Sequence, residues 1–110
     1  MVFRYTGLKE YVREDFERFY RMGFREEEIV PAVLDEYRHG EDFSVTEEIC
    51  IHIFLALNYA EKGWDPGGIV RRLKGLLTVE ALEAARDALG PEYAELTRDL
   101  NKGVFACLKC

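Results

Sequence analysis

The stretch that decides the fold is Ser44-Val45-Thr46-Glu47-Glu48-Ile49-Cys50-Ile51-His52-Ile53-Phe54-Leu55-Ala56-Leu57-Asn58-Tyr59-Ala60-Glu61-Lys62-Gly63. It opens on a capping box, in which the Ser44 hydroxyl accepts from the Glu47 backbone N–H and the Glu47 carboxylate reaches back. It closes on Gly63, a ready helix stop. Between them Ile49, Cys50, Ile51, Ile53, Phe54, Leu55, Ala56, Leu57, Tyr59 and Ala60 are apolar nearly all round the helix. A helix with no polar face has to be surrounded by other helices. The spacing therefore predicts a central helix over about 45–62, inside an all-α, single-domain bundle spanning residues 1–110.

On either side the apolar residues recur with the helical period, and strict alternation is almost absent. Upstream, a helix from about Leu8 to Met22 aligns Leu8, Val12, Phe16, Phe19 and Tyr20, with Tyr11 at the flank and Gly23 as its cap. A second, from about Glu26 to His39, carries Ile29, Val30, Val33, Leu34 and Tyr37 and stops at Gly40. Proline is tolerated only in a first turn, so Pro31 requires that helix either to start near Glu28 or to bend. Downstream, Asp65-Pro66 is a start signal for a helix bearing Ile69, Val70, Leu73, Leu76 and Leu77. Thr78 caps a fifth, from Val79 to Leu89, with Val79, Leu82, Ala85 and Leu89 inward. Pro91 opens a sixth segment with Tyr93, Leu96 and Leu100, ending at Gly103. The count is thus five to six helices, followed by an apolar tail over 104–110 that no periodicity assigns.

Composition narrows the function classes. With 48% hydrophobic and 33% charged residues the chain has material for one core and is not a disordered segment. A net charge of −6 argues against unaided nucleic-acid binding, which needs Lys and Arg to neutralise phosphates, and favours a basic partner. The longest apolar run, Ile49 to Leu57, is broken by His52 and falls far short of the roughly 18 residues of a membrane span. The start, Met1-Val2-Phe3-Arg4, has no signal-peptide pattern, so a cytoplasmic location is expected.

Catalytic chemistry finds little footing, and no catalytic residue or cofactor is assigned. Neither histidine lies in a nucleophile elbow, and Gly67-Gly68 is not followed by the Gly-Lys-Ser/Thr of a phosphate loop. Di-iron bundles use Glu-x-x-His from two helices. Here Glu48 and His52 are spaced Glu-x-x-x-His, once. His39, beside Gly40, reads as a cation at a helix C-terminus. Three cysteines make an odd count, unlike a disulfide framework. Cys50 reads as a small buried hydrophobe, and Cys107 and Cys110 form a lone C-x-x-C without further zinc ligands. A metal or redox enzyme using Glu48 and His52, or Cys107 and Cys110, is the alternative class.

Charge distribution is more informative. From Glu26 to Glu48 there are nine acids and one base, Arg38, a net −8 in 23 residues; the rest of the chain sums to +2. Acids in a helix's first turn favour its dipole, which accounts for Glu26, Glu27, Glu28, Glu47 and Glu48. Asp35, Glu36, Glu41 and Asp42 stand at or beyond a helix C-terminus, where negative charge is unfavourable, and so carry the functional weight. A solvated, solubilising face is the plainer reading. An electrostatic surface steering a basic protein is the functional one. Its contact residues would be Asp35, Glu36, Glu41, Asp42, Glu47 and Glu48, with Tyr37, Phe43 and Trp64 as aromatic anchors.

The order Tyr20-Arg21-Met22-Gly23-Phe24, then Glu36-Tyr37-Arg38-His39-Gly40-Glu41-Asp42-Phe43, then Phe54-Leu55-Ala56-Leu57-Asn58-Tyr59-Ala60-Glu61-Lys62-Gly63-Trp64-Asp65 and a Leu-rich helix resembles small all-α immunity proteins of bacterial polymorphic toxin systems. The resemblance covers roughly residues 16–77. Where the family helix carries Gln-Trp before its closing Gly, this chain has Asn58-Tyr59, and Trp64 follows the Gly. The resemblance implies a cytoplasmic protein that binds and neutralises a cognate toxin, often a nuclease. A self-associating helical regulator, pairing through the apolar tail, is a further alternative.

Overall fold

The computed structural model describes residues 4–38 and 44–105. These form six α-helices: α1 (Tyr5–Arg21), α2 (Glu26–Arg38), α3 (Val45–Glu61), α4 (Gly67–Leu76), α5 (Val79–Leu89) and α6 (Tyr93–Asp99). A 3₁₀ turn at Gly90–Glu92 joins the last two, and a π-helical turn, Leu100–Phe105, prolongs α6. Among the described residues there is no strand. The bundle is an all-α single domain.

Its centre is α3. Ile49, Cys50, Ile51, Ile53, Leu55 and Ala56 are fully buried, and Phe54, Tyr59, Thr46, His52 and Asn58 nearly so. The helix packs against α1, α2, α4, α5 and the π-helical turn, the surrounding that its missing polar face demands. Each large apolar side chain removed from water here contributes about 1.5–3 kcal/mol. Ser44 Oγ accepts from Glu47 N–H at 3.2 Å, as the capping box requires of its serine.

α1 and α3 end in the same way. Gly23 N–H reaches the Tyr20 carbonyl and Phe24 N–H the Phe19 carbonyl; Gly63 and Trp64 bond in the same register to Ala60 and Tyr59. Both glycines have positive φ, 89° and 75°, a conformation other residues adopt only with strain. The residue after each glycine then folds back on its own helix. Phe24 lies 4.8 Å from Phe19, and Trp64 lies 5.1 Å from Tyr59, between ring centroids.

Several sequence expectations need correction. The first helix starts a turn earlier than Leu8, because Tyr5 is buried against Phe54 (ring centroids 4.9 Å apart) and belongs to the core. α2 starts before Glu28 and runs through Pro31. The Glu28 carboxylate accepts from Arg25 N–H at 3.0 Å and so secures the helix start. Val79 points outward, 70% exposed, because it is the first residue after the Thr78 cap; Ala81, Ala85 and Leu89 form the buried row. Helical backbone also continues past Gly103 to Phe105.

The end of the chain supplies what the start of α1 lacks. No side chain near Arg4 caps α1, and its first turn holds no acid. Glu92, from the 3₁₀ turn, accepts from the N–H groups of Tyr5 and Thr6 at 3.4 and 3.5 Å, placing negative charge at the positive helix end. Next to it, Asp99 accepts from Tyr5 Oη at 2.6 Å and Lys9 Nζ at 2.9 Å.

Truncating Leu55 to Ala should destabilise the protein by about 2–5 kcal/mol, whereas Val79→Ala should change stability by less than about 0.5 kcal/mol. Urea midpoints of the two variants decide this.

Candidate functional site

The acidic segment is held against α1. Tyr37 Oη donates to Asp15 Oδ2 at 2.9 Å, and the Arg18 guanidinium bridges Asp15 and Glu36. Asp15 lies beside the buried row Val12–Phe16 of α1, and Tyr37 is half-buried where α2 packs on that row. Burial first, and then the negative charge of Asp15, push the Glu36 carboxyl above its ordinary range against the opposing pull of Arg18. Burial and the bond to Asp15 raise the Tyr37 phenol likewise. At the other side of the segment Arg38 pairs with Glu48 at 2.9 Å, linking the end of α2 to the start of α3.

The proposed contact residues therefore fall into three groups. Asp35 and Glu36 are exposed on α2, Glu36 with its charge already met by Arg18. Glu47 and Glu48 lie half-buried in the first turn of α3. Glu41, Asp42 and Phe43 lie outside the described residues, as do Cys107 and Cys110. The outward face of α2 also presents Glu26, Glu27 and Glu28, with Arg38 as the helix's only base.

Trp64 is half-buried in an aromatic corner with Phe16, Tyr20 and Tyr59, at ring-centroid separations of 5.8, 5.4 and 5.1 Å. Lys62 sits over the Tyr20 ring at 4.4 Å and pairs with Glu17 at 3.1 Å, so the ends of α1 and α3 are also tied by charge. The corner continues to α2, where Tyr59 Oη donates to the Glu26 carbonyl. Burial first, then the charge of Glu26, push the Tyr59 phenol up to about 12. The contacts account for Trp64 as packing between helix ends.

Glu48 and His52 do not converge as ligands. His52 Nδ1 lies 2.7 Å from the Glu48 main-chain oxygen, to which it donates, while the Glu48 carboxylate turns to Arg38. Among the described residues no group of three or more His, Cys, Asp or Glu side chains is arranged to hold a metal ion. Cys50 is a free, buried thiol whose burial pushes its pKa up, away from nucleophilic thiolate.

No family model, curated protein or solved structure matches the chain. The site is therefore read from its own geometry.

Sequence reasoning missed Asp15 and Arg18, the α1 residues that organise the acidic segment. The available signal was an acid beside the apolar stripe Val12–Phe16–Phe19 with a base three residues on, spacing at which side chains meet on a helix. It does not reveal that the partner helix supplies Glu36 and Tyr37.

Burial holds the His52 imidazole below its ordinary value of 6.5. The unfolded chain takes up this proton near pH ~6.5 while the folded chain does not. Stability from neutral His52 is thus full above that pH and falls as pH drops toward the depressed folded value. His52→Gln should abolish this part of the decline, read as the difference in urea midpoint between pH values of about 7.5 and 5.5. Equal differences in the two proteins would contradict a buried neutral imidazole.

Proposed function

We propose that the chain is a non-catalytic protein-binding module, an immunity-type inhibitor that engages a basic toxin, such as a nuclease, through the acidic face of α2. The observation that carries this reading is the division of α2 into two faces. Ile29, Val30, Val33 and Leu34 are buried against the bundle, while Glu26, Glu27, Glu28, Asp35 and Glu36 are exposed, with one base among them. At about 1.5 Å per residue these acids extend along roughly 15 Å of helix, a length suited to a stripe of cations on another protein.

The pairing of Glu36 with Arg18, and of Glu48 with Arg38, refines the reading. Those acids fix the position of α2, and Glu26 and Glu27 become the leading contacts. A nuclease is basic where it holds phosphates, and an acidic helix competes for that surface while repelling nucleic acid itself. No helix among the described residues is long and apolar enough to cross a membrane. A cytoplasmic location, where a producing cell would need protection, belongs to the same proposal.

The test uses the product of the adjacent gene as partner. Glu26→Lys combined with Glu27→Lys should weaken the complex by about tenfold or more and flatten its salt dependence, with the circular dichroism spectrum unchanged. Binding and salt dependence equal to those of the parent chain would remove α2 from the interface.

A further inference from the structure

A cavity of about 660 Å³ opens between α1, α3 and the α6–π segment. That volume is in the range of small-molecule sites. It contains no residue of α2, so it is separate from the acidic face and its failure would leave the inhibitor reading intact. Its apolar wall is Phe54 and Leu57. Within residues 49–59 of α3, Leu57 alone is not buried.

The polar groups are the informative part. Asn58 is 7% exposed, a buried amide on the most apolar helix of the chain. Its Nδ2 donates to the Phe54 carbonyl at 2.8 Å. Its Oδ1 accepts from no described residue and is not sealed from the cavity that Asn58 lines. An amide oxygen open to the cavity keeps its capacity to accept a hydrogen bond, so this position suits a ligand carrying an N–H. The charges around it are balanced. Asp99 is occupied by Tyr5 and Lys9. Two cations, Arg13 and Lys102, and two anions, Glu10 and Glu61, also line the cavity, and none of the four is engaged by another described residue.

We propose that this cavity binds a small zwitterion with an apolar body, of the size of a dipeptide. Its ammonium would sit toward Glu10 and Glu61, its carboxylate toward Arg13 and Lys102. A backbone N–H would meet Asn58 Oδ1, and its side chains would rest on Phe54 and Leu57. A lining with both signs unpaired selects against a ligand that carries only one.

The probe is leucyl-phenylalanine, titrated into the full-length chain with amide-resolved NMR, beside its N-acetylated and C-amidated forms. The dipeptide should shift the amide signals of Phe54–Asn58 saturably, with a millimolar or lower Kd. Each form lacking one charge should bind about tenfold more weakly. Asn58→Leu should abolish the response; if that variant does not fold, Arg13→Gln, at an exposed position, should weaken it about tenfold with an unchanged thermal midpoint. Absence of saturable shifts, equal affinity for all three peptides, or full binding by the variants would overturn the proposal.

Discussion

Every other element of this protein answers to the burial of one helix. Eleven of the seventeen residues of α3 are buried, and between Ile49 and Tyr59 only Leu57 is not. Such a helix is unstable alone, since its apolar surface would be exposed on all sides, and it becomes the most stabilised part of the chain once enclosed. α1 and α2 cover it from one end of the sequence, and α4, α5 and the π-helical turn from the other. The two polar side chains within its buried span, His52 and Asn58, both satisfy a hydrogen bond to the carbonyl one turn back, at 2.7 and 2.8 Å. They therefore sit in the core without requiring a partner from another helix.

Enclosure by short helices requires that their ends be fixed. The matched stops at Gly23 and Gly63 turn the chain sharply and bring an aromatic residue back over each helix end. Trp64 is thereby delivered between α1 and α3, where Phe16, Tyr20 and Tyr59 receive it. At the far end Glu92 and Asp99 tie the last helices to the first turn of α1. The acidic face of α2 rests on this frame, because Asp15 and Arg18 set its position from α1.

The sequence was most legible where causes are local. The loss of polar positions between Ile49 and Tyr59 announced the central helix, and the caps at Ser44 and Thr78 were readable because donor and acceptor stand three residues apart. It was least legible where partners are distant. Tyr37 meets Asp15 across 22 residues, Tyr59 meets Glu26 across 33, and Tyr5 meets Glu92 across 87; nothing in local periodicity encodes these pairings. Val79 was misplaced because apolar character alone does not fix which side of a first turn faces inward. The acidic segment was visible as a charge count, but the count could not separate acids that hold α2 in place, such as Glu36 and Glu48, from acids that face outward, such as Glu27.

The two functional readings share a physical basis: the outer face of α2 and the α1–α3–α6 cavity both lie outside the enclosed core. The central claim, that α3 is the enclosed element on which the rest depends, is tested most directly by native-state hydrogen exchange. The amides of Ile49 to Tyr59 should exchange only through global unfolding, with opening free energies equal to that from denaturant melts. Exchange of those amides at free energies well below the global value, while α1 or α2 stayed protected, would contradict it.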